Sequence, residues 1–423
     1  MPGPRLPLVL RTHGQVHLLL LGLLAHGLFQ LRPAWERVND TPSARDFASY
    51  YYAVKVAAEG GDPYQTQALG RLARAEKTRN TVQPYFYPPP FLFTVAWALP
   101  LPLHRASYWM LALNELALAG CLWALRRWYG VALGALGLVL ATYSPIPDNA
   151  WMGQANLIVL FPSLLGLAVA GRRPVLGGVL VGAAAMFKMS PALFLLYWVL
   201  RGNIRAVLAA GATAVGLTVL SLPLVDWDTQ VRFYTEVLPG FARGDYHDLT
   251  VALALPANHS VPDLFNRAWP GDTPTSMSAA AITWSRAANL ALLGAWGVVF
   301  WRRCPREAGG RPDAYALGAL TLLMTIAPAY TYEHHLVFLL LPVTVLATAA
   351  FTRAPNATRR RYAAGITLFV ILWFFLAWPL DWLNVARKAW PAGEGLVRES
   401  KFISILAIWA GLLALGWRER RSG

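Results

Sequence analysis

The chain is poor in charge and almost without cysteine. Only 14% of its 423 residues are Asp, Glu, Lys or Arg, against roughly 25% in a water-soluble domain. A soluble globular fold is thereby excluded. The two cysteines, Cys121 in an apolar run and Cys304 in an Arg-rich stretch, offer no disulfide framework. There is no glycine-rich phosphate cradle, G-x-S-x-G elbow or C-x-x-C pair, so nucleotide hydrolysis and serine-hydrolase chemistry lack support. The short alternating segments of a β-barrel are also missing, as are an internal repeat and a low-complexity tail.

What is abundant is apolar sequence, 56% of all residues. Runs of roughly 15–22 such residues recur from end to end, near the length needed to cross about 30 Å of hydrocarbon. The class is an all-α polytopic membrane protein, one integral membrane domain over 1–423 with about twelve transmembrane helices. Spans are expected near 15–32, 86–103, 106–126, 131–147, 154–171, 174–187, 190–200, 204–224, 279–301, 313–328, 335–352, 362–380 and 400–417. The segments 174–187 and 190–200 are short and read as one helix broken around Lys188-Met189-Ser190-Pro191. At the start, Arg5 and Arg11 precede the apolar run Val16–Phe29 with no clean cleavage site, the pattern of an uncleaved signal anchor.

A formal charge of +15 invites a nucleic-acid reading, but the basic residues sit in short clusters between spans. Arg126/Arg127, Arg172/Arg173, Arg201/Arg205, Arg302/Arg303/Arg306/Arg311, Arg353/Arg359/Arg360/Arg361 and Arg418/Arg420/Arg421 are a positive-inside signature. Segments 33–85, 148–153, 225–278, 329–334 and 381–399 then face outward and hold most of the polar chemistry. Parity leaves one question. Full crossings at both 86–103 and 106–126 would place Arg126 outside, so either the segment opening with Pro88-Pro89-Pro90 re-enters or that pair breaks the rule.

In the first outer loop, Phe47, Tyr50/Tyr51, Val54 and Ala57/Ala58 recur at helical spacing. They predict an amphipathic helix over 46–60 lying on the membrane surface. Gly60-Gly61 and Asp62-Pro63 stop it, and a second helix is expected over about 65–79 with Arg71, Arg74, Lys77 and Arg79 exposed.

Five constellations can carry chemistry. Asp46, beside Tyr50, Tyr51 and Tyr52, either caps its helix or serves as a general base at the bilayer rim. Tyr332-Glu333-His334-His335 has metal-ligand residue types without metal-ligand spacing, and suits donation to an anionic phosphate better. Lys188, within apolar sequence, either snorkels or pairs with a phosphate. Trp151-Met152-Gly153-Gln154-Ala155-Asn156 offers amides and an indole to a sugar. The loop 225–278 contains the D-x-D pattern Asp226-Trp227-Asp228, a candidate divalent-ion site, together with Asn258-His259-Ser260 and Arg267, a possible phosphate clamp.

Taken in order, these pieces resemble the family 87 glycosyltransferases, membrane enzymes of the GT-C class. The resemblance rests on Asp46-Phe47 through Tyr52-Ala53, Gly61-Asp62-Pro63-Tyr64, Phe86-Tyr87-Pro88-Pro89-Pro90, Trp109 with Asn114, Gly153-Gln154-Ala155-Asn156, Lys188-Met189-Ser190-Pro191-Ala192, Asn258-His259-Ser260 with Arg267, and His334-His335-Leu336. It implies the GT-C fold and transfer of a hexose, mannose foremost, from a polyprenyl-phosphate sugar to a lipid or glycan acceptor, at the outer face of a bacterial plasma membrane. It implies inversion with Asp46 as base, and His334, His335, Lys188 and Arg267 around the donor phosphate. Tyr50, Tyr51, Gln154, Asn156 and Asn258 become candidate sugar or acceptor contacts. No cofactor is required on this reading, with divalent-ion dependence left open; the partners are the donor, the acceptor and membrane lipids, and not nucleic acid. Another donor sugar, such as arabinose or aminoarabinose, fits the same residues, and transport is the rival of a different class. The family often has Asn-Gln-Ser where this chain has Asn258-His259-Ser260, which bears on acceptor contacts rather than on reaction type.

Overall fold

The structure is a computed structural model that describes residues 12–40, 45–243, 253–301, 312–351 and 359–422. Cys304, Arg5, Arg11, Arg302, Arg303, Arg306, Arg311 and Arg353 lie outside these residues. Among those described, every regular element is a helix, apart from one isolated bridge between Pro270 and Met277. Five helices are long and apolar enough to cross a membrane: His13–Val38, Leu103–Trp128, Ile204–Ser221, Glu333–Ala350 and Pro391–Arg418. Two bent pairs raise that number to seven, and Leu133–Thr142, Pro174–Phe187, Ser190–Leu200 and Ala314–Ile326 are shorter apolar helices.

The parity question is answered by length. Between the first loop and Leu103 the chain forms only the five-residue helix Phe91–Val95 and the three-residue turn Ala96–Ala98. At about 1.5–2 Å per residue these fall far short of a crossing. Pro88, Pro89 and Pro90 on one side and Pro100 and Pro102 on the other prevent a longer helix here. Leu103–Trp128 is therefore the next full-length helix, and it carries Arg126 and Arg127 to the end remote from the first loop. That end is tied together by Asn203 Nδ2 to Ala170 O (3.2 Å), Ala132 N to Thr348 Oγ1 (3.0 Å) and Arg201 to Asp313 (3.2 Å).

Residues 174–200 are not one broken helix, as expected from sequence, but a hairpin. Pro174–Phe187 runs from the Arg172/Arg173 turn to Lys188, whose backbone is extended. The chain then returns through Ser190–Leu193 and Phe194–Leu200 to Arg201. Pro191 cannot continue the first helix and instead opens the second. The outgoing limb packs on Ile204–Ser221 so closely that a Cβ at Gly178 would collide with Ala206 O, the small-residue contact that lets membrane helices associate.

The first-loop helix, Arg45–Ala58, also corrects its expectation. It does not lie on the surface: Phe47, Tyr51, Tyr52, Ala53 and Val54 are fully buried. The helical spacing picked out one apolar stripe, but Ala48, Tyr52, Ala53 and Val56 make the opposite side apolar as well. A helix apolar all round is a core helix. It packs into an aromatic cap with Tyr64, Tyr85, Phe91 and Phe233. Tyr51 Oη donates to Leu101 O (2.8 Å) and Ser49 Oγ to Pro84 O (3.1 Å), which fixes its depth and rotation. Thr66–Ala75, by contrast, is amphipathic, burying Leu69 and Ala73 and exposing Arg71 and Arg74, but it stops four residues short of the expected end, and Arg79 is half-buried rather than exposed. The cap and the membrane-like helix core are separate apolar clusters, and Ile158 and Phe187 pack against both.

Candidate active site

The polar groups gather where cap and bundle meet. Pro145–Met152 is a short helix ended by Gly153, whose φ of +67° suits glycine and turns the chain by 118° into Asn156–Val169. That turn aims Gln154 back at the first-loop helix. Gln154 Nε2 donates to Asp46 Oδ2 (2.5 Å), and its Oε1 accepts from the hydroxyls of Tyr50 and Tyr87, each 2.9 Å away. The amide orientation follows from these partners. Burial raises both tyrosine hydroxyls well above their ordinary range, reinforced for Tyr50 by Tyr87 and Asp46, so they stay protonated donors.

Asp46 lies in the first helical turn, and its side chain engages Gln154 rather than a backbone N–H of its own helix. Its Oδ1 has no hydrogen-bond partner among the described residues. On the other side of Oδ2 is His334 Nε2, at 3.9 Å, while His334 Nδ1 is 3.8 Å from Asp148 Oδ2. Lys188 Nζ donates to Asn156 Oδ1 (2.6 Å), and Asn156 Nδ2 donates to His334 O (2.9 Å). The ammonium is also 5.4 Å from the centre of the Tyr87 ring. His335 Nδ1 accepts from Tyr332 N (3.0 Å), which leaves Nε2 as the N–H donor of a neutral ring.

The turn that presents the two histidines is clamped from behind. The buried Glu333 carboxylate takes His259 Nε2 at 2.8 Å and Lys401 Nζ at 2.6 Å. His259 N also donates to Thr331 O (2.8 Å). Burial pushes His259 below its ordinary value, more than Glu333 pulls it up, so a neutral imidazole donates to the carboxylate.

Of the sequence candidates, the structure brings Asp46, Tyr50, Gln154, Asn156, Lys188, His334 and His335 together. It does not bring the others there. Tyr51 spends its hydroxyl on Leu101 O. Asn258 bridges loops, donating to Leu253 O and Ala329 O and accepting from Thr331 N. Arg267 pairs with Asp263 and Glu399. Asp226 caps the helix Trp227–Arg232, its Oδ1 accepting from Thr229 N at 2.7 Å, and Asp228 is exposed in the first turn. No group of three or more His, Cys, Asp or Glu among the described residues is placed to hold a metal ion.

Sequence reasoning missed Asp148, Tyr87 and the Glu333–Lys401 pair. Tyr87 lies inside the Phe86–Pro90 motif, and Asp148 stands three residues before Trp151, so each had a signal beside it. Lys401 had a weaker one, a lone lysine opening the last apolar run. Asn114, noted on the Leu103–Trp128 helix, accepts from Asn149 Nδ2 (2.8 Å) and so ties that helix to the one carrying Asp148.

Residues 85–328 match the model of glycosyltransferase family 87. Asp46 and His334 flank the matched stretch on either side. Two polyprenol-phosphate-mannose-dependent alpha-(1-2)-phosphatidylinositol mannoside mannosyltransferases are similar to the chain. That of Mycolicibacterium smegmatis is 27% identical over 254 residues, 59% of this chain and 53% of its own length. That of Mycobacterium tuberculosis is 26% identical over 264 residues, 62% of this chain and 56% of its own. The aligned region thus spans about half the length of these relatives. No solved structure matches the chain.

Proposed function

Because this chain belongs to glycosyltransferase family 87, we propose that it transfers a hexose, mannose foremost, from a polyprenyl-phosphate donor to a lipid or glycan acceptor on the extracytoplasmic side of the membrane. The relatives' names favour mannose and point to a phosphatidylinositol-type glycolipid as the first acceptor to try. One observation carries the reading. Asp46 is held at Oδ2 by Gln154, keeps Oδ1 available, and stands beside the Lys188 and His334–His335 cluster, although these residues come from four distant segments.

In the proposed step, Asp46 Oδ1 takes the proton of the acceptor hydroxyl as that oxygen attacks the anomeric carbon. The bond from that carbon to the phosphate oxygen breaks, and the phosphate leaves with the electron pair. Lys188 and the Nε2–H of His335 are the donors that meet the charge growing on it. A single displacement inverts the anomeric centre.

The test is incubation of purified protein with polyprenyl-phosphate mannose, other polyprenyl-phosphate sugars and a lipid extract, with the product identified by mass. Asp46→Asn should remain folded while transfer falls at least about 100-fold. Turnover of that variant near the wild-type rate would remove Asp46 as base.

A further inference from the structure

We propose that Asp148 is a positioning residue that completes a proton path from Asp46 through His334 towards the outer solvent. The inference rests on the reading of Asp46 as base. Its geometric basis is an imidazole held between two carboxylates, with Asp46 Oδ2 3.9 Å from Nε2 and Asp148 Oδ2 3.8 Å from Nδ1.

Three further observations bear on it. First, Asp148 is oriented for the task. Trp151 Nε1 donates to its Oδ1 (3.0 Å), and Arg37 lies over the Trp151 ring at 4.7 Å, so Oδ2 is the oxygen turned to the imidazole. Second, Asp148 is the most exposed of the three groups: the side chains of Asp46, His334 and Asp148 are 19%, 6% and 28% exposed. With donor and acceptor seated, the open side of Asp46 is covered by the molecule that gave up its proton, and His334 is the neighbour left for its loss. Third, Gln154 turns an N–H rather than an acceptor towards Asp46, so the amide cannot take the proton.

The proton balance is simple. The acceptor O–H gives its proton to Asp46. The resulting carboxylic acid rotates to bring the proton from Oδ1 to the side facing the imidazole and gives it to His334 Nε2 as Nδ1–H passes to Asp148 Oδ2, and Asp148 releases it to water. One proton leaves per sugar transferred; Asp46 and Asp148 return to their starting forms, and the imidazole, left with its hydrogen on Nε2, regains the Nδ1–H tautomer by proton exchange with water before the next turnover. The imidazole must carry its hydrogen on Nδ1 before the step, the tautomer that leaves Nε2 free to accept; a carboxylate faces each ring nitrogen. Both gaps exceed a direct hydrogen bond by about 1 Å and close by a small movement or one bridging water in the loaded site.

The charged and titratable groups around Asp148 are His334 and Glu333 from the clamped turn, Lys401 from the last helix, Asp46 from the first-loop helix and, one ring away, Arg37. Burial, with Glu333, lifts the Asp148 carboxyl to about 7. It therefore accepts and releases protons near neutral pH.

The experiment compares wild type, Asp148→Asn, Asp148→Glu and Asp46→Asn in lipid nanodiscs with polyprenyl-phosphate mannose and the acceptor extract. For Asp148→Asn we expect kcat to fall about tenfold or more while both KM values stay within about twofold. The wild-type acid limb near pH 7 should vanish, and Asp148→Glu should recover most of the rate. A wild-type kcat with the limb intact in Asp148→Asn would overturn the proposal. So would raised KM values with Asp148→Glu equally impaired, the mark of a packing role. If Asp148→Asn does not fold, the wild-type profile decides, since a rate flat from about pH 5.5 to 8 overturns the path. The Asp46→Asn arm reads the base assignment separately: a dead Asp46→Asn beside a fully active Asp148→Asn sinks the path alone.

Discussion

Gln154 joins Asp46 to two tyrosines through opposite ends of one amide, with Nε2 on Asp46 Oδ2 at 2.5 Å and Oε1 2.9 Å from the hydroxyls of Tyr50 and Tyr87. The arrangement sets which carboxylate oxygen stays available. It also gives the candidate base a rotamer that does not depend on substrate.

Gln154→Leu removes that tether at nearly constant volume. Asp46 then loses its strongest fixed partner, and two buried hydroxyls, 2.7 Å apart, keep only each other. Steady-state kinetics should show kcat reduced about ten- to 100-fold with donor KM little changed, because orientation rather than donor contact is lost. A variant with unaltered kcat would place the control of Asp46 elsewhere.

Lys188 should behave in the opposite way. Its amine stands at the Asn156–His334 corner, where burial lowers it to about 7, and no carboxylate hydrogen-bonds it among the described residues, so an arriving phosphate is the anion that would hold it charged. Lys188→Met is expected to raise the donor KM roughly tenfold or more and to lower kcat as well, as phosphate charge is met in both ground and transition states. Equal binding of a non-hydrolysable polyprenyl phosphate by wild type and variant would exclude it from the phosphate site.

Lys401→Met leaves the Glu333 carboxylate without its cation in a buried site, since Lys401 is 0% exposed. Breaking such a pair from one side costs about 3–5 kcal/mol, and thermal melts in detergent should show a large drop in Tm. Adding Glu333→Gln should recover part of that loss, because the remaining charge is removed. Additive losses in the double variant would mean the two groups do not act as a pair.

Asp148 makes a pH-dependent prediction of its own. Its carboxyl sits at about 7 in the folded protein and near 4 in an unfolded chain. The fold thus favours the protonated form. Its contribution is fully present below about pH 4 and is lost as pH rises towards and through 7. Asp148→Asn, which cannot ionise and can still accept from Trp151, should raise Tm relative to wild type at pH 8 and much less at pH 5. A gain of the same size at both pH values would contradict the assignment. Higher stability alongside lower turnover is the trade-off expected where an ionisable group is held buried for function.

Much of the architecture was legible in the chain. Ala279–Trp301 has the bounds expected of it, and most other helices fall within a few residues of theirs, because apolar length is a local property; among the described residues, however, five to seven helices, not about twelve, are long and apolar enough to cross a membrane, and Ala279–Trp301 is not one of them. Asp46 was legible too, as an acid in an aromatic stretch just past the first apolar run. The first-loop helix was misplaced for a definite reason. Periodicity measures contrast between faces, and this helix has little contrast, so a surface and a buried position read alike until the aromatic cap around it is known. Lys188 and Pro191 announced a break, but a break permits either a kink or a reversal. The close approach of Gly178 to Ala206 is what selects the reversal.

Composition and order by themselves determined a helical membrane chain, the approximate ends of most of its helices and an acid just past its first apolar run, since each depends on residues within a few turns of one another. Only the tertiary structure decided that Gln154 holds Asp46, that His334 stands between Asp46 and Asp148, and that Arg267, Asn258 and Asp226 are engaged elsewhere. Those pairings join residues from 3 to 288 positions apart. No local spacing encodes the longer ones; they arise where packed helices bring distant turns to one end of the bundle.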